Sequence, residues 1–197
     1  MSRTKGSSGP RTKDEIHKAG RELIFRHGYE AVSLRQLAQA VGLQQGSLYN
    51  HISSKQDLLF LLMKEHLEPI VAELEAVLAD IAGPRARIEA FIAFHLTYHM
   101  ERRSEVYINN SELRSLTPEN RRKIVALRQA YEHKVTGILA DGAAAGVFNV
   151  RDAKVAAFAL IAMLTGVCAW YTPKGRHSKA DLVAQHTDLA LNGLLNR

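Results

Sequence analysis

Residues 33–59, SLRQLAQAVGLQQGSLYNHISSKQDLL, constrain the fold more than any other part of the chain. Ser33 and Gln36 have the spacing of a capping box, which favours a helix that begins just after Ser33. Gly42 stands where the left-handed turn that ends a helix favours glycine. The apolar positions between them follow the i, i+3, i+4, i+7 spacing of one helix face. They are Leu34, Leu37, Ala38 and Val41.

A second short helix is predicted at residues 44–51, and its outer surface is polar. Leu48 is its inward apolar residue, and Gly46 lets another backbone approach closely. Glutamine and asparagine can hydrogen-bond bidentately to adenine in a major groove, and serine and tyrosine suit phosphate or base contacts. The outward residues are Gln44, Gln45, Ser47, Tyr49 and Asn50. We interpret the segment as a helix-turn-helix that reads double-stranded DNA.

A third helix is predicted to begin at Ser53 or Ser54, with Lys55 in its first turn. A lysine there opposes the helix dipole, and a phosphate bound at the helix start would explain it. A lysine on a solvated helix face explains it equally well. A glycine turn between short helices is also common in proteins that do not bind DNA. The DNA-binding interpretation therefore depends on its combination with the polar helix and a basic N-terminus.

The net charge of +6 is distributed unevenly along the 197 residues. Residues 1–55 contain nine Lys/Arg and four Asp/Glu, whereas residues 56–197 contain seventeen and sixteen. The excess of positive charge in the first segment fits a polyanionic partner. Residues 1–12 are polar and predict a flexible basic arm. Such an arm can reach a DNA backbone or minor groove, or can be a solvated tail.

Residues 12–60 resemble the DNA-binding domain of the tetracycline-repressor (TetR) family. The matching residues are Phe25, Gly28, Tyr29, Ser33, Leu34, Ala38, Val41, Gly42, Gly46, Ser47, Leu48, Tyr49, His51, Ser54, Lys55 and Leu58. Ile52 replaces the aromatic residue that usually follows His51. Gln45 stands where a basic or small residue is common, so the family's base preference cannot be transferred.

The resemblance implies a division of roles within the DNA-reading segment. Tyr49, His51 and Lys55 would contact the DNA backbone, and Gln44, Gln45 and Asn50 would face bases. The complete set predicted to contact DNA is Ser33, Arg35, Gln44, Gln45, Ser47, Tyr49, Asn50, His51 and Lys55.

No long segment alternates with period two, so the sequence predicts an all-α fold of about nine helices. We expect a three-helix helix-turn-helix domain at residues 13–54 and a helical ligand-binding and dimerisation domain at residues 55–197. A long helix over residues 54–82 links them, and Pro69 is expected to kink it.

The helix predicted at residues 150–171 is apolar on nearly every side and must be covered all round. Its apolar run is shorter than the roughly 20 residues of a membrane span, so no membrane partner is expected. With the last helix it suggests a twofold four-helix interface, as in a homodimer on a palindromic site. A core helix in a monomer is the alternative, and the family resemblance favours the dimer.

Aromatic and polar residues in the middle region predict a ligand pocket between helices, although ordinary core packing is the favoured role for any single aromatic residue. The predicted ligand-binding residues are Phe91, Phe94, His95, Tyr98, Asn109, Arg114, Tyr131, Trp170 and Tyr171. His95 and His99 stand at i, i+4 without a third ligand, so no metal is expected. No catalytic set or phosphate loop is recognisable, which predicts neither an enzyme nor a cofactor.

The single cysteine, Cys168, excludes an intrachain disulfide and suits a reducing cytosol. Its apolar surroundings in the sequence favour a small buried hydrophobe over a nucleophile. The N-terminus MSRTKGSSGPRTK has no apolar segment of a secretory signal. We therefore expect a cytoplasmic protein.

The stretches NSELRSLTPENRRKIVALRQAYE and GVCAWYTPKGRHSKADLVAQ are similar to TetR-family regulators that respond to acyl-CoA thioesters. This resemblance implies a repressor that an acyl-CoA or related metabolite releases from its operator. Arginines that could meet the CoA phosphates, or could pair with Glu112 or Glu119, are Arg102, Arg103, Arg114, Arg121 and Arg122. A regulator of drug efflux that senses cationic or aromatic compounds is the second hypothesis. An enzyme of thioesters using His95 or Cys168 is the third.

Overall fold

The computed structural model describes residues 9–194, which form nine α-helices and one short 3-10 helix. The predicted all-α class is confirmed. The helices are α1 (Gly9–His27), α2 (Leu34–Ala40), α3 (Gln45–Leu48), α4 (Lys55–Leu78), α5 (Pro84–Glu101), α6 (Arg103–Ser111), the 3-10 helix (Leu113–Ser115), α7 (Pro118–Ala144), α8 (Ala153–Trp170) and α9 (Lys179–Leu194).

The predicted helix-turn-helix is present, with the expected cap and turn. The Ser33 Oγ accepts a hydrogen bond from Gln36 N at 3.2 Å, and Gln36 Oε1 accepts one from Ser33 N at 2.8 Å. Gly42 has a φ of +67°, as the left-handed turn requires. Helix α3 is shorter than the predicted residues 44–51, because after Leu48 the backbone continues as hydrogen-bonded turns to residue 51.

The start of α1 corrects the predicted arm. Residues 9–12 belong to the helix rather than to a flexible segment, and Pro10 stands in its first turn, where a missing N–H costs no hydrogen bond. Thr12 is already buried, and Arg11 Nε pairs with Glu15 Oε1 at 3.3 Å. The DNA-reading domain therefore begins before residue 13. Arg3 and Lys5 of the predicted arm lie outside the described residues.

Helix α4 belongs to two hydrophobic cores. Its first half, Leu58 to Leu67, packs with α1, α2 and α3 beneath the DNA-reading segment. Its second half, Ile70 to Leu78, packs in the larger core formed with α5, α7, α8 and α9. The helix runs without interruption through Pro69. The predicted boundary at residue 54 marks the start of α4, whereas the packing around the DNA-reading segment extends to Leu67.

Helix α8 presents a broad apolar surface that its own chain leaves uncovered. Only 22% of Ala153–Trp170 is buried, and Val155 and Trp170 are 62% and 55% exposed. On α9, Leu189 is 62% exposed. By length and composition α8 is the one helix within residues 9–194 that could cross a membrane, which is weak evidence because core helices share these properties. Burial of α8 on all sides would require a further partner surface.

The end of α7 is fixed by the packing of Phe148 against Gly142. A Cβ at Gly142 would lie 2.0 Å from Phe148 Cδ2. The carbonyl oxygen of Gly142 accepts hydrogen bonds from Val147 N and Phe148 N. Gly137, five residues earlier on the same helix, is exposed and has open space where a Cβ would stand. The two glycines form a matched pair in one helix.

We expect Gly142→Ala to lower the free energy of unfolding by about 1–3 kcal/mol, because the buried Phe148 ring must move. Gly137→Ala should raise it by about 0.5–1 kcal/mol, because alanine restricts the unfolded chain without a clash. Urea unfolding followed by circular dichroism measures both. Equal effects of the two substitutions would contradict the packing described here.

Candidate nucleic-acid interface and ligand cavity

The DNA-reading surface consists of exposed polar side chains around α3. Leu48 is fully buried and holds α3 against α2, and Tyr49 is 52% exposed beside it. Gln44, Gln45 and Asn50 are exposed and form no side-chain hydrogen bond within residues 9–194. Their amide groups are therefore available to a ligand of suitable shape. The same holds for Ser47.

The remaining predicted DNA contacts surround this surface. Arg35 is exposed on α2, and His51 is half-buried. The Ser33 hydroxyl is occupied by the cap of α2. Lys55 folds back over the Tyr29 ring at 4.2 Å, and its Nζ donates to the Glu30 carbonyl oxygen at 3.2 Å. An ammonium group has three donors, so this contact leaves capacity for a phosphate.

A cavity of about 900 Å³ opens between α1, α6, α7 and α8. This is the size of a site for a drug-sized or larger ligand. Its walls are mainly apolar, with a few polar groups spaced among them. The apolar and small residues are Phe25, Val106, Tyr107, Phe158, Ile161, Ala162, Gly166, Cys168 and Ala169. The polar ones are Arg103, Asn110, Ser111, Glu132 and Thr165.

A second space of about 130 Å³, here called the inner chamber, adjoins the cavity. The two spaces share part of their lining, namely Val106, Asn110, Glu132, Ile161 and Thr165. The inner chamber differs from the cavity in carrying a concentration of buried or half-buried polar side chains. Those found only there are His66, His95, His99, Asn109, Arg128 and Tyr131.

The histidines of the inner chamber form a connected, uncharged cluster. His95 Nδ1 lies 3.0 Å from the Tyr131 hydroxyl, and its Nε2 lies 3.0 Å from Thr165 Oγ1. The His99 ring stacks on His95 at 3.9 Å, and His99 Nδ1 donates to the His95 carbonyl oxygen. Burial lowers the pKa of His66 to about 3 and that of His99 to about 4, and lowers the pKa of His95 well below its usual value. All three are neutral at physiological pH.

Metal binding finds no support in this cluster. The described residues contain no group of three or more His, Cys, Asp or Glu side chains that could hold a metal ion. Cys168 lines the cavity, but burial raises the pKa of its thiol to about 11. A thiol with that pKa is protonated and weakly nucleophilic at neutral pH.

The structure brings together three of the residues predicted to bind ligand, since His95, Asn109 and Tyr131 all line the inner chamber. Phe91 is fully buried behind them, with its ring 5.5 Å from that of His95. Tyr171 is also a core residue. Their aromatic character indicated a pocket wall, but the packing places both beneath it.

Four predicted ligand residues lie in other places. Phe94 and Tyr98 line a separate surface groove between α4 and α5. Phe94 is rotated about 60° around α5 from Phe91, and Tyr98 is rotated about 60° from His95, because residues three apart differ by that angle. Trp170 is exposed and stacks on His186. Arg114 lines a shallow surface beside residues 27–31, away from both spaces.

Sequence reasoning missed several residues that line the cavity or the chamber. Phe25 matched the family pattern of the DNA-binding domain, which concealed its contact with the cavity. His66 stands among the buried leucines of α4, and Glu132 stands one turn after Arg128. Phe158 and Ile161, three residues apart on α8, are a usable signal, since that spacing places both on neighbouring parts of one face.

Helix α6 connects the cavity to the DNA-reading module. Tyr107, which lines the cavity, packs edge-on against Phe25 of α1 with ring centroids 5.2 Å apart. Arg21 of α1 pairs with Glu105 of α6, with Nη1 and Oε1 2.5 Å apart. The buried Glu112 that follows α6 accepts a hydrogen bond from Tyr29 N at 3.2 Å. A ligand that displaces α6 would therefore displace α1.

Gln56, in the first turn of α4, adds a second connection. Its Nε2 donates to the Tyr29 hydroxyl at 2.9 Å and to the Ser115 carbonyl oxygen at 2.5 Å. Its Oε1 accepts from Thr117 N at 3.0 Å. One amide thus ties the DNA-reading module to the segment between α6 and α7.

Two family models match this chain and together cover most of it. Residues 16–62 match the bacterial regulatory proteins of the tetR family. Residues 82–194 match the tetracyclin repressor-like C-terminal domain. The first match includes the helix-turn-helix, and the second includes most residues that line the cavity.

Relatives of similar length support the same family. The HTH-type transcriptional repressor KstR2 of Rhodococcus jostii is 26% identical over 97% of this chain and 94% of its own length. The structure of the TetR family transcriptional regulator PfmR from Thermus thermophilus is 34% identical, with a TM-score of 0.82 over 92% of this chain and 99% of that one.

A third relative was solved with ligands. The structure of AibR in complex with isovaleryl coenzyme A and operator DNA is 26% identical to this chain, with a TM-score of 0.82 over 93% of this chain and 98% of that one. Members of this family bind DNA and small-molecule effectors and dimerise. This chain belongs to the TetR family and is a DNA-binding transcriptional regulator.

Proposed function

We propose that this regulator is a repressor that leaves a palindromic operator when an acyl-CoA thioester, or a related lipid or aromatic metabolite, occupies the cavity. The observation that carries the proposal is the 900 Å³ cavity, whose wall includes Phe25 of the DNA-reading module itself. A ligand can change DNA binding only if it binds two states of the protein with different affinity. Contact with both Phe25 and Tyr107 provides such a difference, because movement of α1 would alter the cavity wall.

The lining of the cavity suits an acyl or ring group joined to an anionic carrier. The α8 wall is apolar, and Arg103 supplies a cation at the α6 wall. Arg103 Nε donates to the Cys168 carbonyl oxygen at 3.0 Å, which leaves its terminal nitrogens for a phosphate. The AibR complex with isovaleryl coenzyme A supports this ligand class by similarity.

The other arginines predicted to meet CoA phosphates lie away from the cavity. Arg102 stacks on the Tyr98 ring at 3.8 Å, and Arg114 lines the surface near Glu112. Arg121 and Arg122 are exposed on α7. We therefore retain only Arg103 in the proposal.

A regulator of drug efflux is the second candidate, and Glu132 is the observation that favours it. This carboxylate lines both the cavity and the inner chamber and could pair with a cationic ligand. Arg103 in the same cavity, and Arg128 in the chamber, oppose a large cation. The protonated thiol of Cys168 disfavours a catalytic role, so we propose that the protein is not an enzyme. We also propose that it is cytoplasmic.

On the DNA, we propose that Gln44, Gln45 and Asn50 face bases. Ser33, Arg35, Ser47, Tyr49, His51 and Lys55 would contact the backbone or adjoining bases. We further propose that the uncovered surfaces of α8 and α9 meet those of a second copy, which would present two reading helices about 34 Å apart, one helical turn of DNA.

Two substitutions should separate specificity from affinity. Gln45→Ala should reduce the preference for operator over unrelated DNA by about fivefold or more, because one bidentate base contact contributes about 1–3 kcal/mol of discrimination. Lys55→Ala should weaken binding to all sequences and reduce the slope of log affinity against log salt by about one. Fluorescence anisotropy with operator and scrambled duplexes over a salt series measures both.

The matched controls are Gln129→Ala and Lys64→Ala, which alter exposed side chains of α7 and α4 away from α3. They should bind both duplexes like the unmodified protein. Unchanged discrimination by Gln45→Ala, or binding by the unmodified protein that ignores salt, would contradict the proposed DNA contacts.

The effector proposal predicts that acyl-CoA thioesters weaken operator binding by about tenfold or more, within the usual range of coupling between sites. Ile161→Trp should abolish this release while leaving DNA binding intact, because the indole would fill the wall common to cavity and chamber. Ala126→Trp, on the exposed side of α7, is the control. Operator gel shifts with acyl-CoAs, free fatty acids, CoA alone and cationic dyes measure release. Release by cationic dyes alone would replace this proposal with the drug-efflux alternative.

A further inference from the structure

Two buried polar atoms of the inner chamber have no hydrogen-bond partner among the described residues, namely His66 Nδ1 and Asn109 Oδ1. Each side chain is 4% exposed, and each lines the chamber. Buried polar atoms are nearly always paired, because desolvation without a new hydrogen bond is costly. Both therefore require a partner from outside the protein's own side chains.

Several other buried polar atoms of the chamber are already engaged by the protein. Both nitrogens of His95 are within 3.0 Å of a hydroxyl, and His99 Nδ1 is bonded to a carbonyl. The Asn109 Nδ2 donates to the Glu105 carbonyl oxygen at 3.0 Å. This bond fixes the orientation of the amide, so the free atom is the oxygen, which only accepts.

We propose that the inner chamber binds a hydroxyl group on the acyl or ring portion of the effector, at the end remote from its CoA. A hydroxyl can donate one hydrogen bond, as Asn109 Oδ1 needs, and it can accept one from His66 Nδ1 in the neutral tautomer that carries its proton on that nitrogen. A ketone only accepts and leaves Asn109 unpaired. A carboxylate also lacks a donor for Asn109 Oδ1, and it would meet opposite charges in Glu132 and Arg128, which both line the chamber.

The dimensions of the two spaces fit this assignment, which rests on the proposed acyl-CoA function. The chamber of about 130 Å³ holds a few heavy atoms and excludes a CoA head group. The wall that it shares with the cavity, including Ile161 and Thr165, allows one ligand to reach both. The effector class is therefore a hydroxylated acyl-CoA or a CoA thioester of a hydroxylated ring.

The test compares three forms of each CoA thioester that differ only at the remote end, with hydroxyl, ketone or hydrogen there. Medium-chain and alicyclic series are titrated into the full-length protein by calorimetry, and operator release is measured in parallel. We expect the hydroxyl form to bind more tightly than either analogue, by about fivefold or more in the best series, which is the lower end of the effect of one buried unpaired polar group.

The preference for the hydroxyl form should depend on the two unpaired atoms, His66 Nδ1 and Asn109 Oδ1. Asn109→Leu should reduce the hydroxyl preference to about twofold or less, with affinity for the hydrogen form retained. His66→Phe, which keeps a ring beside His99, tests the second atom should Asn109→Leu fail to fold. Asn149→Leu, an exposed residue that lines neither space, is the control and should keep the full preference. Circular dichroism and thermal unfolding that match those of the unmodified protein show that each variant is folded.

The outcomes separate this inference from the proposed function. If acyl-CoAs bind and release the operator but the hydroxyl, ketone and hydrogen forms bind alike, the inference is overturned and the proposed function stands. A hydroxyl preference that survives in both folded variants also overturns it. If no thioester of any form binds, the acyl-CoA proposal fails, and this inference fails with it.

Discussion

The contact between α6 and α1 is the constraint on which the function of this fold depends. Helix α6 has nine residues, and its two sides serve different neighbours. One side carries Val106, Tyr107 and Asn110 into the cavity wall, and the other holds α1 through the Arg21–Glu105 ion pair. Side chains of this pair are only 33% and 18% exposed, so solvent screens the interaction less than at an open surface. Because α6 lines the cavity and also holds α1, a ligand that moves α6 would move α1 with it.

Helix α8 imposes a second constraint, because it packs in the core on one side, lines the cavity on another and leaves a third side exposed. Leu160, Leu164 and Val167 are buried in the core, whereas Phe158 and Ile161 face the cavity. Val155, Met163 and Trp170 remain exposed on the outer side. The outer residues are those available to a second copy. Ligand binding and dimerisation would then involve the same helix. A second copy packed on the outer side of α8 would restrict the movement of the cavity wall.

The sequence allowed the DNA-reading module to be predicted almost residue by residue, because its structure is determined by local chemistry. The Ser33–Gln36 box, the left-handed Gly42 and the buried Leu48 each follow from neighbours within a few positions. The start of α1 was misplaced because a Gly-Pro pair indicates a loop as readily as a first helical turn. The length of α3 was overestimated, because the exposed Asn50 and the half-buried His51 do not determine whether a last turn is helical.

The cavity could be predicted only in part, because its walls depend on how four helices rotate against one another. His95, Asn109 and Tyr131 line one space, and their contact with a ligand stays a prediction, whereas Phe94, Tyr98, Arg114 and Trp170 share their composition and lie elsewhere. A rotation of about 60° around α5 separates His95, which lines the chamber, from Tyr98, which lines the groove. The helical period of 3.6 residues predicts this angle but not which side of the helix faces the ligand. Phe25 was not predicted because it matches the family pattern of the DNA-binding domain, and His66 was not predicted because it stands among the buried leucines of α4.

The uncharged state of the histidine cluster determines what the inner chamber can distinguish. Burial stabilises the neutral form of His66, His95 and His99, so their rings offer hydrogen bonds without attracting anions. An anionic group therefore gains nothing from the histidines, and the charges of Glu132 and Arg128 in the chamber lining oppose one another. Arg103, by contrast, stands in the larger cavity, where a charged carrier can remain partly solvated. The two spaces thus divide recognition by charge, with a neutral polar group selected in the chamber and an anionic carrier held in the cavity.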